Sequence, residues 1–114
     1  METIYKGIRT SESGPQDVWK EVPQSDGRHG QVRLDPGASQ KIYNHSPDGF
    51  QWGYGGSGPA QLALALLLDV TGDGDMSVSL HQDFKRHFVA SWGESWQMST
   101  GQIREWIESM VGVT

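Results

Sequence analysis

A glycine-rich segment that leads directly into an almost entirely apolar segment constrains the fold of this chain more than any other feature. Residues 52–58 contain four glycines, and residues 59–69 contain five leucines and three alanines. Pro59 suits the first turn of a helix, because the N–H that proline lacks has no partner there. Ser57 or Gly58 is then the expected cap. Since apolar side chains lie on almost every side of this helix, we predict that it is buried at the centre of the fold.

A second helix is predicted over residues 76–91. Its apolar residues recur four positions apart and form one stripe, which is typical of a helix that packs on a core. Asp73 or Asp75 is the expected cap at its start. The stripe consists of Leu80, Phe84 and Phe88, and Trp92 continues it.

A third helix is predicted near the end of the sequence, after an extended segment over residues 95–98. Ser99 followed by Gln102 has the pattern of a capping box, and Gly112 is the expected stop. Between them, apolar residues follow the spacing of one helical face. They are Ile103, Trp106, Ile107, Met110 and Val111.

The first half of the chain is rich in turn-forming residues and contains short segments with the alternation of β-strands. The predicted extended segments are residues 3–9, 17–22, 31–34, 41–43 and 50–54. These patterns predict one α+β domain over residues 1–114. We expect a small antiparallel sheet, formed by the N-terminal half and packed on about three helices, with the buried helix of residues 59–69 at the centre.

The composition favours a cytoplasmic protein that does not bind nucleic acid directly. The net charge is −5, and residues 58–114 carry most of it. An acidic chain gains nothing from counterion release on nucleic acid. The longest apolar run, residues 62–68, is far shorter than the roughly 20 residues that span a bilayer, and the first residues do not resemble a signal peptide. The chain has five tryptophans and no cysteine; an exposed tryptophan would favour a binding surface.

The residues around the glycine-rich segment resemble the signature of an uncharacterised family of small proteins that are scattered through bacteria, phages and plasmids. Residues 44–69 read NHSPDGFQWGYGGSGPAQLALALLLD. Residues 82–85 and the helix that contains Trp106 resemble the C-terminal part of the same family. The resemblance covers about residues 40–110 and implies a shared fold without a known activity. Its association with mobile elements implies a protein that inhibits or sequesters a host defence component.

The glycine-rich segment is also the first candidate for a ligand site. Backbone N–H groups at the start of a helix form a positive concavity that suits a phosphate or a carboxylate, and glycines let a ligand approach closely. The two aromatic side chains of the segment would stack on a base. We favour the simpler alternative, a tight turn between a strand and a helix. The candidate residues are Trp52, Gly53, Tyr54, Gly55, Gly56, Ser57 and Gly58.

Three closely spaced carboxylates are a weak candidate for a metal site. Asp69, Asp73 and Asp75 resemble the start of a calcium loop, but Phe84 occupies the position where an EF-hand requires glutamate. Helix ends explain these residues more simply, so we expect no metal there.

The histidines do not form a recognisable catalytic or metal-binding pattern. His81 and His87 lie six residues apart on one predicted helix and therefore point to different faces. His45 lies beside Ser46 and near Asp48, but the members of a catalytic triad come from separate segments. We interpret this trio as a turn.

Taken together, these features predict a non-enzymatic binding protein without a cofactor, a metal or catalytic residues. The expected partner is a protein with a basic surface, which would meet the acidic helical half of the chain. A small anionic ligand or nucleotide at residues 53–58 is the first alternative, and a small hydrolase is the second. The oligomeric state stays open, and a dimer is compatible with the sequence. The candidate partner-binding residues are Asp73, Asp75, Glu94 and Trp96.

Overall fold

Four antiparallel strands and four helices make up the fold, in a computed structural model that describes residues 2–10 and 14–112. The strands occur in the order β3-β2-β1-β4 across the sheet. They are β1 (Ile4–Ile8), β2 (Val18–Pro23), β3 (His29–Arg33) and β4 (Ser95–Ser99). The helices are α1 (Gly37–Ile42), α2 (Ser57–Thr71), α3 (Gly74–His87) and α4 (Thr100–Val111), with a short 3₁₀ helix, Val89–Ser91, after α3. The predicted α+β class is confirmed.

The two faces of the sheet differ sharply, because side chains alternate along each strand. The inner face carries buried residues that join the core beneath the helices: Tyr5, Val18, Trp96 and Met98. The opposite face is open to solvent in the described part of the chain. Lys6 of β1 lies opposite both Trp19 of β2 and Gln97 of β4, in the middle of this open face.

The apolar helix α2 lies at the centre of the core, as predicted. Every residue from Gly58 to Leu67 is buried. The helix packs against α1, α3 and α4, and it is longer than expected at both ends. The predicted cap is wrong: Gly56 occupies the N-cap position, and no described side chain caps the helix. Gly72, in the left-handed conformation, ends it.

Asp73 caps α3, because its carboxylate accepts a hydrogen bond from the backbone N–H of Met76. The helix ends at His87 and not at residue 91. Phe88 leaves the helical conformation, and the 3₁₀ turn that follows directs the Val89 carbonyl oxygen to the backbone nitrogen of Gly53, at 3.0 Å. The end of α3 is therefore tied to the glycine-rich segment.

The predicted ends of α4 are confirmed, whereas only the first three residues of its predicted apolar face, Ile103, Trp106 and Ile107, are buried. Ser99 and Gln102 form both hydrogen bonds of the capping box, and Gly112 ends the helix in the left-handed conformation. The extended segment before this helix is β4, which pairs with β1. The sheet is therefore not a product of the N-terminal half alone, since one of its edge strands comes from the C-terminal half.

Two of the predicted extended segments are wrong. Residues 41–43 form the end of α1 and its cap, where the Tyr43 N–H donates to the Ser39 carbonyl. Residues 50–54 contribute a single bridge, between Phe50 and Gln16. A strand cannot continue there because Gly53 has φ +90°, which turns the chain toward α2.

No helix among the described residues has the length and the apolar character that crossing a membrane requires.

Candidate functional site

A fully buried glutamine on α2 organises the most elaborate polar site of the molecule. The Gln61 side-chain oxygen accepts the backbone N–H groups of His45 and Ser46, at 2.7 and 3.0 Å. Its side-chain nitrogen donates to Ser39 Oγ at 2.9 Å and to the Tyr43 carbonyl oxygen at 3.2 Å. One amide thereby makes all four hydrogen bonds that it can make. Residues 43–46 are held in one conformation against the core as a result.

This segment places His45 against His81 of α3, and we call these two residues the dihistidine site. Their Nε2 atoms lie 2.8 Å apart. His81 Nδ1 lies 2.6 Å from the Val78 carbonyl oxygen, which can only accept. In the neutral ring, His81 therefore carries its proton on Nδ1 and presents a lone pair at Nε2. It follows that His45 donates its Nε2–H to His81.

The surroundings of the dihistidine site favour the neutral form of both rings. Burial, which penalises the charged imidazolium, is the main cause that lowers the pKa of His45 and of His81. The positive charge of Lys85 on α3 lowers both pKa values further. The Tyr43 ring stacks on the His45 ring with centroids 4.2 Å apart, so the more exposed imidazole is covered on one face.

Sequence reasoning missed this site. It compared His81 with His87, which points elsewhere and is exposed, and it assigned His45 to a turn. The turn itself is present, since the Gly49 N–H donates to the Ser46 carbonyl oxygen at 3.3 Å. One signal was available: Gln61 interrupts a helix that is apolar on all sides, and a polar group buried there needs partners.

The glycine-rich segment lacks the pair of stacking side chains that the ligand alternative requires. Trp52 is completely buried, and its indole N–H donates to the Gly93 carbonyl oxygen at 2.7 Å. It cannot stack on a ligand, so this part of the prediction is wrong. Tyr54 has 51% of its surface exposed, and its ring lies over Gly56. Gly55 and Ser57 are exposed.

Glycines of this segment have structural reasons to be glycine. Gly53 adopts a positive φ. A Cβ atom on the buried Gly58 would lie 2.6 Å from the Cβ atom of Gln51, which is too close for two real carbon atoms. The Arg9 guanidinium donates to the Trp52 carbonyl oxygen at 3.0 Å and thereby holds the start of the segment. These contacts explain the glycine-rich segment as a tight turn that leads into α2.

The candidate partner-binding residues do not form one surface. Asp73 and Asp75 lie at the start of α3, a helix about 20 Å long, whereas Glu94 follows the 3₁₀ turn after the other end of that helix. Glu94 is exposed and lies 3.8 Å from Arg9. Trp96 has only 7% of its surface exposed, because it is enclosed by neighbouring tryptophans on the inner face of the sheet. Its assignment to a partner surface is wrong.

The carboxylates of the described residues give no metal cluster: no group of three or more histidine, cysteine or acidic side chains lies close enough to hold an ion. Asp69 is engaged elsewhere, since its carboxylate accepts hydrogen bonds from Tyr5 and from Lys20.

Trp19 is the most exposed of the five tryptophans, all of which belong to the described part of the chain. It has 36% of its surface exposed and lies in the middle of the open face of the sheet, between Lys6 and Arg33. Ile8 lies on the same face and is 64% exposed. We call this surface, centred on Trp19 and including Lys6, Ile8, Arg33 and Gln97, the open sheet face.

These features define an α+β protein in which a four-stranded antiparallel sheet is covered by helices on one face and open on the other. The chain belongs to the family of unknown function DUF6166, which matches residues 5–109. The expectation of an uncharacterised family is confirmed at that level. No curated protein and no solved structure matches the chain.

Proposed function

We propose that this protein acts by binding another protein and not by catalysis, and that it binds through the open sheet face. The observation that carries the proposal is the exposure of Trp19 in the middle of that face. Tryptophan is one of the residue types that are enriched among those that dominate binding energy at protein interfaces. Ile8 extends the apolar part of the surface along β1.

The charges around Trp19 favour a protein partner over a nucleic acid. Both cations of the open sheet face are already paired, Lys6 with Glu21 and Arg33 with Asp17. Their charges are therefore compensated, whereas phosphate binding needs uncompensated Lys or Arg. The net charge of −5 attracts a partner with a basic surface and speeds its association. We propose such a partner, in the cytoplasm of a host cell, for a protein that a mobile element encodes as an inhibitor of a defence component.

A small anionic ligand at the glycine-rich segment is the alternative. Its support is the amino-terminal end of α2, which no described side chain caps, together with the nearby Arg9 guanidinium. Its weakness is the burial of Trp52, which leaves Tyr54 as the remaining aromatic candidate. Calorimetry with inorganic phosphate and a panel of nucleotides distinguishes the two proposals. If the protein binds only another protein, these small ligands should give no heat of binding.

The direct experiment compares three versions of the immobilised protein in a host-cell extract. They are the wild type, Trp19→Ala, and Ile42→Ala as a matched control. Ile42 is 42% exposed but lies on α1, away from the sheet. We expect a basic protein that the wild type and Ile42→Ala retain, that Trp19→Ala loses, and that salt releases. Binding of that protein is then measured after its purification.

Two results would overturn the proposal. One is that the Trp19→Ala variant retains the same proteins as the wild type. The other is that the wild type retains no basic protein that salt releases. Melting curves of the two variants exclude misfolding as the cause of a loss.

A further inference from the structure

We propose that the dihistidine site binds one divalent transition-metal ion, with Zn²⁺ as the reference ion, between His45 Nε2 and His81 Nε2. This inference is independent of the proposed function, because the site lies on α3 and on the segment before α2, whereas the proposed protein interface is the open sheet face.

The distance between the two nitrogen atoms carries the proposal. Two imidazoles that share a tetrahedral zinc ion, at the usual bond length, have nitrogen atoms about 3.3 Å apart. The two Nε2 atoms lie at 2.8 Å, joined by one proton. Metal binding therefore requires the two nitrogen atoms to separate by about 0.5 Å and the rings to tilt, so that both Nε2 lone pairs point at an ion beside the line that joins them. His45 is the ring that moves more easily, since it is half-buried, whereas His81 is buried.

The orientation of His81 is typical of a metal ligand. Ligating histidines usually donate their second ring N–H to a carbonyl or carboxylate group, which fixes the ring and its tautomer. His81 has this arrangement, because Nδ1 faces the Val78 carbonyl oxygen at 2.6 Å. On metal binding, His45 moves its proton from Nε2 to Nδ1 and offers the Nε2 lone pair, so the protein neither gains nor loses a proton.

Gln61 stabilises the dihistidine site through the backbone next to His45. By accepting the backbone N–H groups of His45 and Ser46, it fixes the backbone that carries the movable ring. Such preorganisation lowers the entropic cost of bringing two ligands together. Gln61 is a positioning residue and does not touch the metal.

The chemistry of the surroundings selects the class of ion. Two neutral imidazoles suit Zn²⁺, Ni²⁺ and Cu²⁺, whereas Mg²⁺ and Ca²⁺ prefer oxygen ligands. The groups that face the site are Tyr43 from the end of α1, Gln61 from α2, and Gln82 and Lys85 from α3. No carboxylate of the described residues contributes to the pKa values of the pair. Water fills the remaining coordination positions.

Lys85 opposes metal binding, and its replacement therefore provides a specific test of the dihistidine site. Its positive charge acts on both imidazoles and would act on a divalent cation in the same sense. The Lys85→Gln variant should therefore bind the metal more tightly than the wild type does. A metal bound elsewhere on the surface would not respond to this change in the same way.

The test is calorimetry with ZnCl₂ and NiCl₂ on the full chain at neutral pH, without an affinity tag. We expect one ion per chain and no binding of MgCl₂. The His45→Gln variant should bind at least about tenfold more weakly. His87→Gln is the matched control, since it removes an exposed histidine from the same helix and should leave binding unchanged.

A second measurement reports on the site directly. Nitrogen NMR of the imidazole rings should show zinc-dependent shifts at His45 and His81 and no shift at His87. Absence of zinc binding at millimolar concentration would overturn the proposal, and so would equal binding by the wild type and by a folded His45→Gln variant. Zinc-dependent shifts confined to other histidines would also overturn it.

Discussion

The phenol oxygen of Tyr5 lies 2.5 Å from the Oδ2 atom of Asp69 and joins the first strand of the sheet to the central helix. The Lys20 ammonium of β2 lies 2.9 Å from the other carboxylate oxygen, so one aspartate holds two strands. Burial raises the pKa of the Tyr5 hydroxyl, and the hydrogen bond to Asp69 raises it further. The Tyr5 hydroxyl therefore stays protonated and keeps donating its hydrogen bond to Asp69, between the sheet and α2.

We expect Tyr5→Phe to lower the free energy of unfolding by about 1–3 kcal/mol, because a partly buried hydrogen bond to a charged group is lost while the ring is kept. In the wild type, the folded pKa of Tyr5 is above the unfolded value of 10.0. This contribution to stability is thus present below pH 10 and is lost as the pH rises through the folded pKa. Urea denaturation at neutral and alkaline pH measures both effects. An unchanged unfolding midpoint would show that the contact contributes nothing.

Leu66→Asp is expected to unfold the protein. Leu66 is completely buried in the middle of α2, and a carboxylate there has no solvent and no partner. The cost exceeds about 5 kcal/mol, which is the whole stability of many domains. Leu68→Asp is the matched control, because Leu68 lies on the same helix but is only half-buried. Circular dichroism of both variants provides the test, and a folded Leu66→Asp variant would contradict the central position of the helix.

Gly58→Ala should lose about 1–3 kcal/mol of stability through overpacking against the Gln51 side chain and backbone. Gly55→Ala, three positions earlier in the same segment, should be tolerated, since a Cβ atom there meets no described atom within 4 Å. Thermal melting of the pair distinguishes a packing role of the segment from general flexibility. Equal effects of the two substitutions would count against the packing explanation.

Acidification should destabilise the protein through the dihistidine site. The folded pKa values of His45 and His81 are lower than the ordinary value of 6.5. The stability that the neutral pair provides is therefore full above pH 6.5 and is lost as the pH falls through the folded pKa values. Denaturation between about pH 7.5 and 5.5, with a metal chelator present, should show this loss in the wild type. The pH dependence should be weaker in His45→Gln than in the wild type; identical slopes in the two proteins would refute the assignment.

The helices were largely predictable because their signals are local. The capping box at Ser99 and Gln102, the stripe that contains Phe84, and the apolar residues after Pro59 each act within a few turns of chain. The extended segment at residues 50–54 was mispredicted because its aromatic alternation is also compatible with an irregular turn. There, Phe50 and Trp52 are buried by contacts that the local pattern does not contain.

The sites were less predictable, because distant parts of the chain form them. His45 and His81 lie 36 residues apart and meet only because α3 packs against the segment that Gln61 holds. The open sheet face likewise depends on strand register. Trp19 lies between Lys6 and Arg33 through pairings that no short motif encodes. The candidate glycine segment was located correctly as the entry into α2, but the burial of Trp52 was not visible in the sequence.

The pairing of β1 with β4 determines when, during synthesis, β1 gains its second partner strand. Among the described residues, β4 is the last strand and follows three of the four helices, yet it pairs with the first strand. While the ribosome is still making α3, one edge of β1 has no partner strand, so the nascent chain carries an open hydrogen-bonding edge. This edge of β1 finds its partner strand only after residues 95–99 have been synthesised, so the sheet is completed later than α1, α2 and α3 are made.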